Sequence, residues 1–260
     1  MAGEIGEGAF KHSFKIHDRD GETFCLKLYK GNLSEARSHR EIEAIRLCNH
    51  PGIAKLLSVG QFDRASGDQI LYSVEEFIAG GSLAERITSA SLQADEAREI
   101  GRALSEALTE TASLNLVHRD IKPANVMLRE DGTPVLVDFG LVRVLDDSSM
   151  TPTWLDHGPG TPLFAAPEQL NNDKHLIDWR TDQFGVGVTL AIGVLGLHPY
   201  AESTDDGPPK VIQRAVDRKG PSDAFRREAE RVDLMILVQM TEAWPVQRFR
   251  TPELLIKAWG

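Results

Sequence analysis

Up to about Phe77 the apolar positions come in short runs broken by turn residues, with one helical interlude. Residues 10–16 and 23–29 alternate around Asp18-Arg19-Asp20-Gly21. An Asp-Gly step between two alternating runs predicts a β-hairpin. Residues 34–48 predict a helix, with Ser34 as N-cap and Glu35 in the first turn. After Pro51, residues 53–59 and 69–74 predict two more strands, and Ala79-Gly80-Gly81 reads as a connector. Beyond it the period changes. Ala97, Ile100, Leu104 and Leu108 recur at spacings of three and four, which predicts an amphipathic helix ending before Leu116. Residues 126–128 and 134–137 flank Asp131-Gly132 and predict a second hairpin. Helical segments then dominate to the C-terminus, around a polar loop over residues 145–161. The expected architecture is α+β and bilobal. A small β-rich lobe with one helix takes residues 1–77, a hinge takes 78–82, and a larger α-rich lobe takes 83–260.

Composition narrows this picture. A chain of 260 residues that is 41% hydrophobic and 26% charged can fill a substantial core. Its net charge of -10 argues against a general nucleic-acid binder, whose footprint is basic. The same charge suits either a solvated acidic surface or the steering of basic protein substrates. Cys25 and Cys48 form no CxxC pattern and read as small buried hydrophobes. The longest apolar run, residues 184–197, is 14 residues, too short to span a bilayer and suited to a core helix. Met1-Ala2-Gly3-Glu4 offers neither a basic start nor an apolar segment, so no signal peptide and a cytoplasmic location are expected, with no membrane partner within this chain.

The chemistry concentrates in Leu116-Val117-His118-Arg119-Asp120-Ile121-Lys122-Pro123-Ala124-Asn125 and in Val137-Asp138-Phe139-Gly140, where Asp138 follows Asp120 by 18 residues. Two carboxylates, a lysine and an amide at these positions could hold a nucleotide with its metal and deprotonate a hydroxyl. Upstream stand the glycine-rich Ile5-Gly6-Glu7-Gly8-Ala9-Phe10 and the strand lysine of Phe24-Cys25-Leu26-Lys27, with Glu41 14 residues further on. Downstream comes Gly160-Thr161-Pro162-Leu163-Phe164-Ala165-Ala166-Pro167-Glu168. This ordered set, running from Ile5 to Arg248, resembles the eukaryotic-type (Hanks-type) serine/threonine protein kinase catalytic domain.

The resemblance implies transfer of the ATP γ-phosphoryl group to a protein hydroxyl. Asp120 would take the hydroxyl proton, Lys122 would neutralise the transferring group, and Lys27, paired with Glu41, would hold the α- and β-phosphates. Asn125 and Asp138 would hold Mg²⁺, or Mn²⁺ in its place. Around the nucleotide it places Ile5, Gly6, Gly8 and Ser13 from the phosphate loop, Cys25 and Lys27 from the strand, Glu76 and Phe77 at the adenine, Ser82 near the ribose, and Met127 as the floor. Three positions depart from the family pattern. Lys11 replaces the third glycine and would add positive charge near the phosphates, Ser13 replaces a valine over adenine, and Glu75 takes the apolar gatekeeper position. An acidic group there needs a partner, so Glu75 is expected to make a polar contact at the back of the cleft. The glycine loop begins within six residues of Met1, so the first strand is expected to be cut short.

Further expectations follow from the same resemblance. His118 and Phe139 would join Ile45 and Leu56 in an apolar column between the lobes. Glu168 would pair with Arg248, and Asp182 would anchor the catalytic-loop backbone. Lys122 and Thr161 favour serine or threonine acceptors. Ser148, Ser149, Thr151 and Thr153 are candidates for phosphorylation in a loop read by Arg119. The alternatives are a pseudokinase acting as a scaffold, which usually loses one of Lys27, Asp120 or Asp138, and a small-molecule phosphotransferase. The sequence carries no sign of oligomeric state.

Overall fold

In a computed structural model, the structure describes residues 3–7, 11–30, 45–63, 69–139, 143–144 and 161–260, with the backbone alone at 143, 144 and 161. Five strands form one antiparallel sheet in the order β1-β2-β3-β5-β4: β1 Gly3–Glu7, β2 Lys11–His17, β3 Thr23–Tyr29, β4 Leu56–Asp63 and β5 Gln69–Glu76. The β2–β3 hairpin turns where Asp-Gly predicts it, with Gly21 at φ 86° and the Asp20 and Glu22 amides donating to the Asp18 carboxylate. The first strand has five residues. Of the predicted helix over 34–48, residues 45–47 are helical and 34–44 lie outside the described residues.

The strand expected over 53–59 begins at Leu56 and runs on to Asp63. Ile53 and Ala54 are drawn instead toward the lower lobe. Ala54 donates its amide to the Leu136 carbonyl at 3.0 Å, and Leu136 donates to Gly52 at 2.9 Å. Apolar side chains next to β4 therefore serve the inter-lobe contact rather than the sheet.

The connector is fixed by close approach. Gly80 donates to Leu128 at 2.9 Å and Leu128 to Gly81 at 2.8 Å. A Cβ on Gly80 would lie 2.5 Å from the Leu128 and Arg129 carbonyls, so only glycine allows this contact. Helix α1 (Leu83–Ser89) starts immediately after it, capped by Ser82 and Glu85 in a capping box.

Helix α2 (Ala94–Ser113) buries Ala97, Ile100, Leu104 and Leu108, as the periodicity predicts. It packs on helix α4 (Trp179–Leu195), which is buried on nearly every side and ends at Gly196 in the left-handed conformation. Between them run β6 (Leu116–Val117), the hairpin β7 (Val126–Leu128) and β8 (Pro134–Leu136), and β9 (Arg143–Val144), which pairs with β6. Short helices complete this lobe: α3 (Pro167–Leu170), α5 (Pro208–Val216), α6 (Asp223–Arg231), α7 (Met235–Met240) and α8 (Pro252–Ala258). One apolar core runs from Ile45 to Trp259 and includes Phe139, Phe184 and Leu190. Among the described residues no helix is long and apolar enough to cross a membrane.

Candidate active site

Two polar clusters hold the predicted catalytic and metal-binding side chains. The first is the catalytic loop between β6 and β7. Asp182, in the first turn of α4, accepts the His118 amide at 2.7 Å and the Arg119 amide at 2.8 Å. Burial pushes its pKa up to about 6, against the opposing effect of His118 and these two amides. The anchored backbone carries Arg119 through φ 67°, a left-handed conformation that costs a non-glycine residue on the order of 1 kcal/mol. Gln169 donates to the Arg119 carbonyl at 2.9 Å, fastening α3 to the same turn.

Beyond it, Asp120 is 10% exposed at the side chain, and its Oδ2 accepts Lys122 Nζ at 2.8 Å and Asn125 Nδ2 at 2.9 Å. Asn125 Nδ2 also donates to the Asp120 carbonyl at 2.8 Å. Both amide hydrogens are thus committed to Asp120, and the Asn125 side-chain oxygen is turned away from it. Asp120 Oδ1 is buried and, among the described residues, accepts no hydrogen bond. A buried carboxylate oxygen without a donor is costly unless a ligand supplies one.

The second cluster hangs from the sheet. Asp138, at φ 67°, presents Oδ1 to Lys27 Nζ at 2.9 Å and Lys11 Nζ at 3.0 Å. Burial alone would raise its pKa, but the two ammonium groups overcome this and hold the carboxyl well below the usual range. Lys27 also donates to Glu75 Oε2 at 2.6 Å, with both side chains under 5% exposed. Glu75 Oε1 accepts Ser73 Oγ at 3.1 Å, which lies 3.2 Å from the Tyr29 hydroxyl. Glu75 therefore makes the polar contact expected at the back of the cleft. The predicted partner Glu41 and loop residue Gly8 lie outside the described residues.

The other predicted nucleotide contacts are distributed around these clusters. Gly6 pairs with Ser13 across β1 and β2, and a register shift between Glu4 and Gly6 leaves Ile5 exposed at an irregularity. Cys25 and Cys48 are half-buried rather than fully buried, and burial pushes their thiols up to about 11 and about 12. The Glu76 amide donates to the Lys55 carbonyl at 2.9 Å, its carboxylate pairs with Arg129, and Lys15 Nζ stands 4.8 Å over the Phe77 ring. The Ser82 hydroxyl takes part in the α1 cap, within reach of both the Glu85 amide and carboxylate. Met127 is half-buried against Ala54, Ile78 and Val135. The His118 and Phe139 rings meet at 4.5 Å between centroids, tilted by 53° to each other, and Phe139 lies in the same core as Ile45 and Leu56.

Sequence reasoning left two members of the sheet cluster out, Ser73 and Tyr29. Their signal was strand alternation, which puts Ser73 and Glu75 on one face of β5 and Lys27 and Tyr29 on one face of β3. Farther down, Glu168 and Arg248 form the expected ion pair, at 2.7 and 2.9 Å through two nitrogens.

The family model for the protein kinase domain matches residues 1–259. This chain belongs to the protein kinase family. It is 32% identical over 193 residues to a probable serine/threonine-protein kinase of Streptomyces coelicolor, covering 72% of this chain and 28% of the relative. It is 31% identical over 265 residues to a probable myosin light chain kinase of Dictyostelium discoideum, covering 98% of this chain and 81% of the relative. It is 29% identical over 252 residues to the serine/threonine-protein kinase RAD53 of Saccharomyces cerevisiae, covering 89% and 29%. The kinase chain thus spans less than a third of two of these relatives.

One titratable group of this kinase outside the clusters carries a pH prediction. His198 is buried, with Nε2 2.9 Å from the Leu163 carbonyl and Nδ1 accepting the Tyr200 amide at 3.0 Å, the pattern of a neutral ring. Burial pushes its pKa down from 6.5 to about 4. The unfolded chain therefore takes up this proton first. The His198 contribution to stability is present above pH 6.5 and is lost as pH falls toward 4, at up to about 1.4 kcal/mol per pH unit. Urea unfolding across that interval should fall more steeply for the wild type than for His198→Asn; parallel curves would contradict it.

Proposed function

We propose that this chain is a serine/threonine protein kinase that transfers the γ-phosphoryl group of ATP to a protein hydroxyl. The observation that carries this reading is the buried Asp120 Oδ1, which accepts no hydrogen bond among the described residues while Oδ2 is held by Lys122 and Asn125. A carboxylate positioned in this way can accept a substrate hydroxyl's proton and orient its oxygen for attack. Lys122, at the same carboxylate, would neutralise charge developing on the transferring group. Lys27 would hold the α- and β-phosphates, with Glu41 as its expected partner and Glu75 as a second one. Glu76, Phe77, Ser82 and Met127 would enclose the adenosine, together with Ile5, Gly6, Gly8, Ser13 and Cys25 from the sheet. Residues 1–77 and 83–260 would form the two lobes and 78–82 the hinge.

The donor set suits Mg²⁺, which prefers hard oxygen ligands: the Asn125 side-chain oxygen turns away from Asp120, and the neighbouring lysines keep Asp138 ionised. Asn125 and Asp138 would hold the ion, which when bound neutralises phosphate charge. The retained Lys27, Asp120 and Asp138 disfavour the pseudokinase reading. The names of the relatives support serine and threonine as acceptors. Incubation with γ-labelled ATP, Mg²⁺ and histone or casein, followed by phosphoamino-acid analysis, should give phosphoserine or phosphothreonine. Label on tyrosine alone would overturn the acceptor class.

Loop phosphorylation at Ser148, Ser149, Thr151 or Thr153, positions outside the described residues, is a further part of the proposal, with Arg119 as the reader. Mass spectrometry after incubation with ATP and Mg²⁺ should find phosphate on at least one of them; a clean loop sinks this part. A cytoplasmic setting and protein substrates complete the reading.

A further inference from the structure

The two charged departures from the family pattern, Lys11 and Glu75, belong to one diagonal row on the cleft face of the sheet. Lys11 is opposite Tyr29 and Ser13 opposite Lys27 across β2 and β3; Lys27 is opposite Ser73 and Cys25 opposite Glu75 across β3 and β5. Side chains two apart share a face, and diagonal neighbours on adjacent strands lie within reach of long side chains. The row therefore runs Lys11, Lys27, Glu75, and each of the three is no more than 9% exposed. It closes on Asp138, whose Oδ1 meets both lysines, while Lys27 also meets Glu75.

The charges in this row compensate. Glu75 is a counterion fixed to a strand at 2.6 Å from Lys27. In a poorly solvated site its field cancels much of what Lys27 can offer a phosphate. Lys11 restores one positive charge on the other side of Asp138. Two ammonium groups share one carboxylate oxygen here, whereas a triphosphate provides each with its own charged oxygen, the stronger arrangement.

We propose that Lys11 is a second phosphate-binding lysine, contacting the ATP polyphosphate beside Lys27 and supplying the positive charge that Glu75 cancels. The inference rests on the ATP-dependent reading above and adds a residue to it. Lys11 donates to phosphate oxygens only, so its loss weakens binding of ATP and leaves adenosine untouched. Removing the Glu75 charge tightens ATP binding and offsets part of the loss.

Calorimetric titration of Mg·ATP and of adenosine into the wild type, Lys11→Met, Glu75→Gln and the double variant tests this. Lys11→Gly, which carries the family's own residue at that position, is titrated alongside as a variant suited to the fold, and thermal melting verifies each protein. Loss of one charge-assisted contact should raise the Kd for Mg·ATP by roughly 10- to 100-fold in both Lys11 variants, with adenosine within twofold. The double variant should bind Mg·ATP more tightly than Lys11→Met. Equal loss of ATP and adenosine, or ATP affinity within twofold of wild type in both Lys11 variants, would overturn the inference. A wild type that transfers phosphate alongside unaffected Lys11 variants overturns this inference alone. A wild type that binds no Mg·ATP overturns the kinase reading with it.

Discussion

Asp120→Asn is expected to lower the rate of phosphoryl transfer by about 10²- to 10⁴-fold, the range for loss of a positioned general base. The amide keeps the shape of the carboxylate, and its oxygen can still meet Lys122 and Asn125 where Oδ2 does now. The buried Oδ1 position, however, would carry no basic atom. The loss should therefore fall on kcat. Because Lys11, Lys27 and Asp138 stand apart from Asp120 in a separate cluster, KM for ATP should stay within a few-fold. Steady-state kinetics with a protein acceptor separates the outcomes. An unchanged kcat removes Asp120 from the proton-transfer role, and a rise in KM alone would reassign it to binding.

Breaking the Glu168–Arg248 pair should have the largest effect on stability. Both side chains are fully buried, and Arg248 also donates to the Arg180 and Glu242 carbonyls at 2.9 Å each. Thr181 donates to Glu168 at 2.9 Å, so the carboxylate takes three hydrogen bonds. Arg248→Met strands the carboxylate in the core, at roughly 3–5 kcal/mol. At about 2–4 °C per kcal/mol for a domain of this size class, melting should fall by on the order of 10 °C. Replacing both charges, as in Glu168→Gln with Arg248→Met, should cost less than Arg248→Met alone, because no unpaired charge remains. Equal melting of Arg248→Met and wild type would show that the pair carries little of the fold.

Much of this site was legible because its chemistry is local in sequence. The HRDIKPAN segment places Asp120, Lys122 and Asn125 within six positions, and a 3-10 turn at Pro123–Asn125 folds the amide back onto the carboxylate. The Asp-Gly steps at 20–21 and 131–132 mark their hairpins because glycine adopts the positive φ those turns need. Strand β4 was displaced from its predicted range because apolar alternation does not distinguish a residue pairing in the sheet from one such as Ile53, which bridges to Leu136 in the other lobe. The Glu75 contact could be expected from the cost of burying a charge, but its partner could not be named. That partner is set by register: Lys27 lies opposite Ser73, one diagonal step from Glu75 and 48 residues from it in sequence. The engagement of Lys11 with Asp138 has the same origin, since the two meet only once β2 is folded over the lower lobe.

The central claim is a Mg²⁺-dependent transfer from ATP whose metal is held in part by Asp138. Its most direct test is the transfer of label from γ-labelled ATP to casein or histone by the wild type and by Asp138→Asn, each with Mg²⁺ and with excess chelator. The account predicts transfer only by the wild type with Mg²⁺. Equal labelling by Asp138→Asn, or labelling by the wild type in chelator, would contradict it.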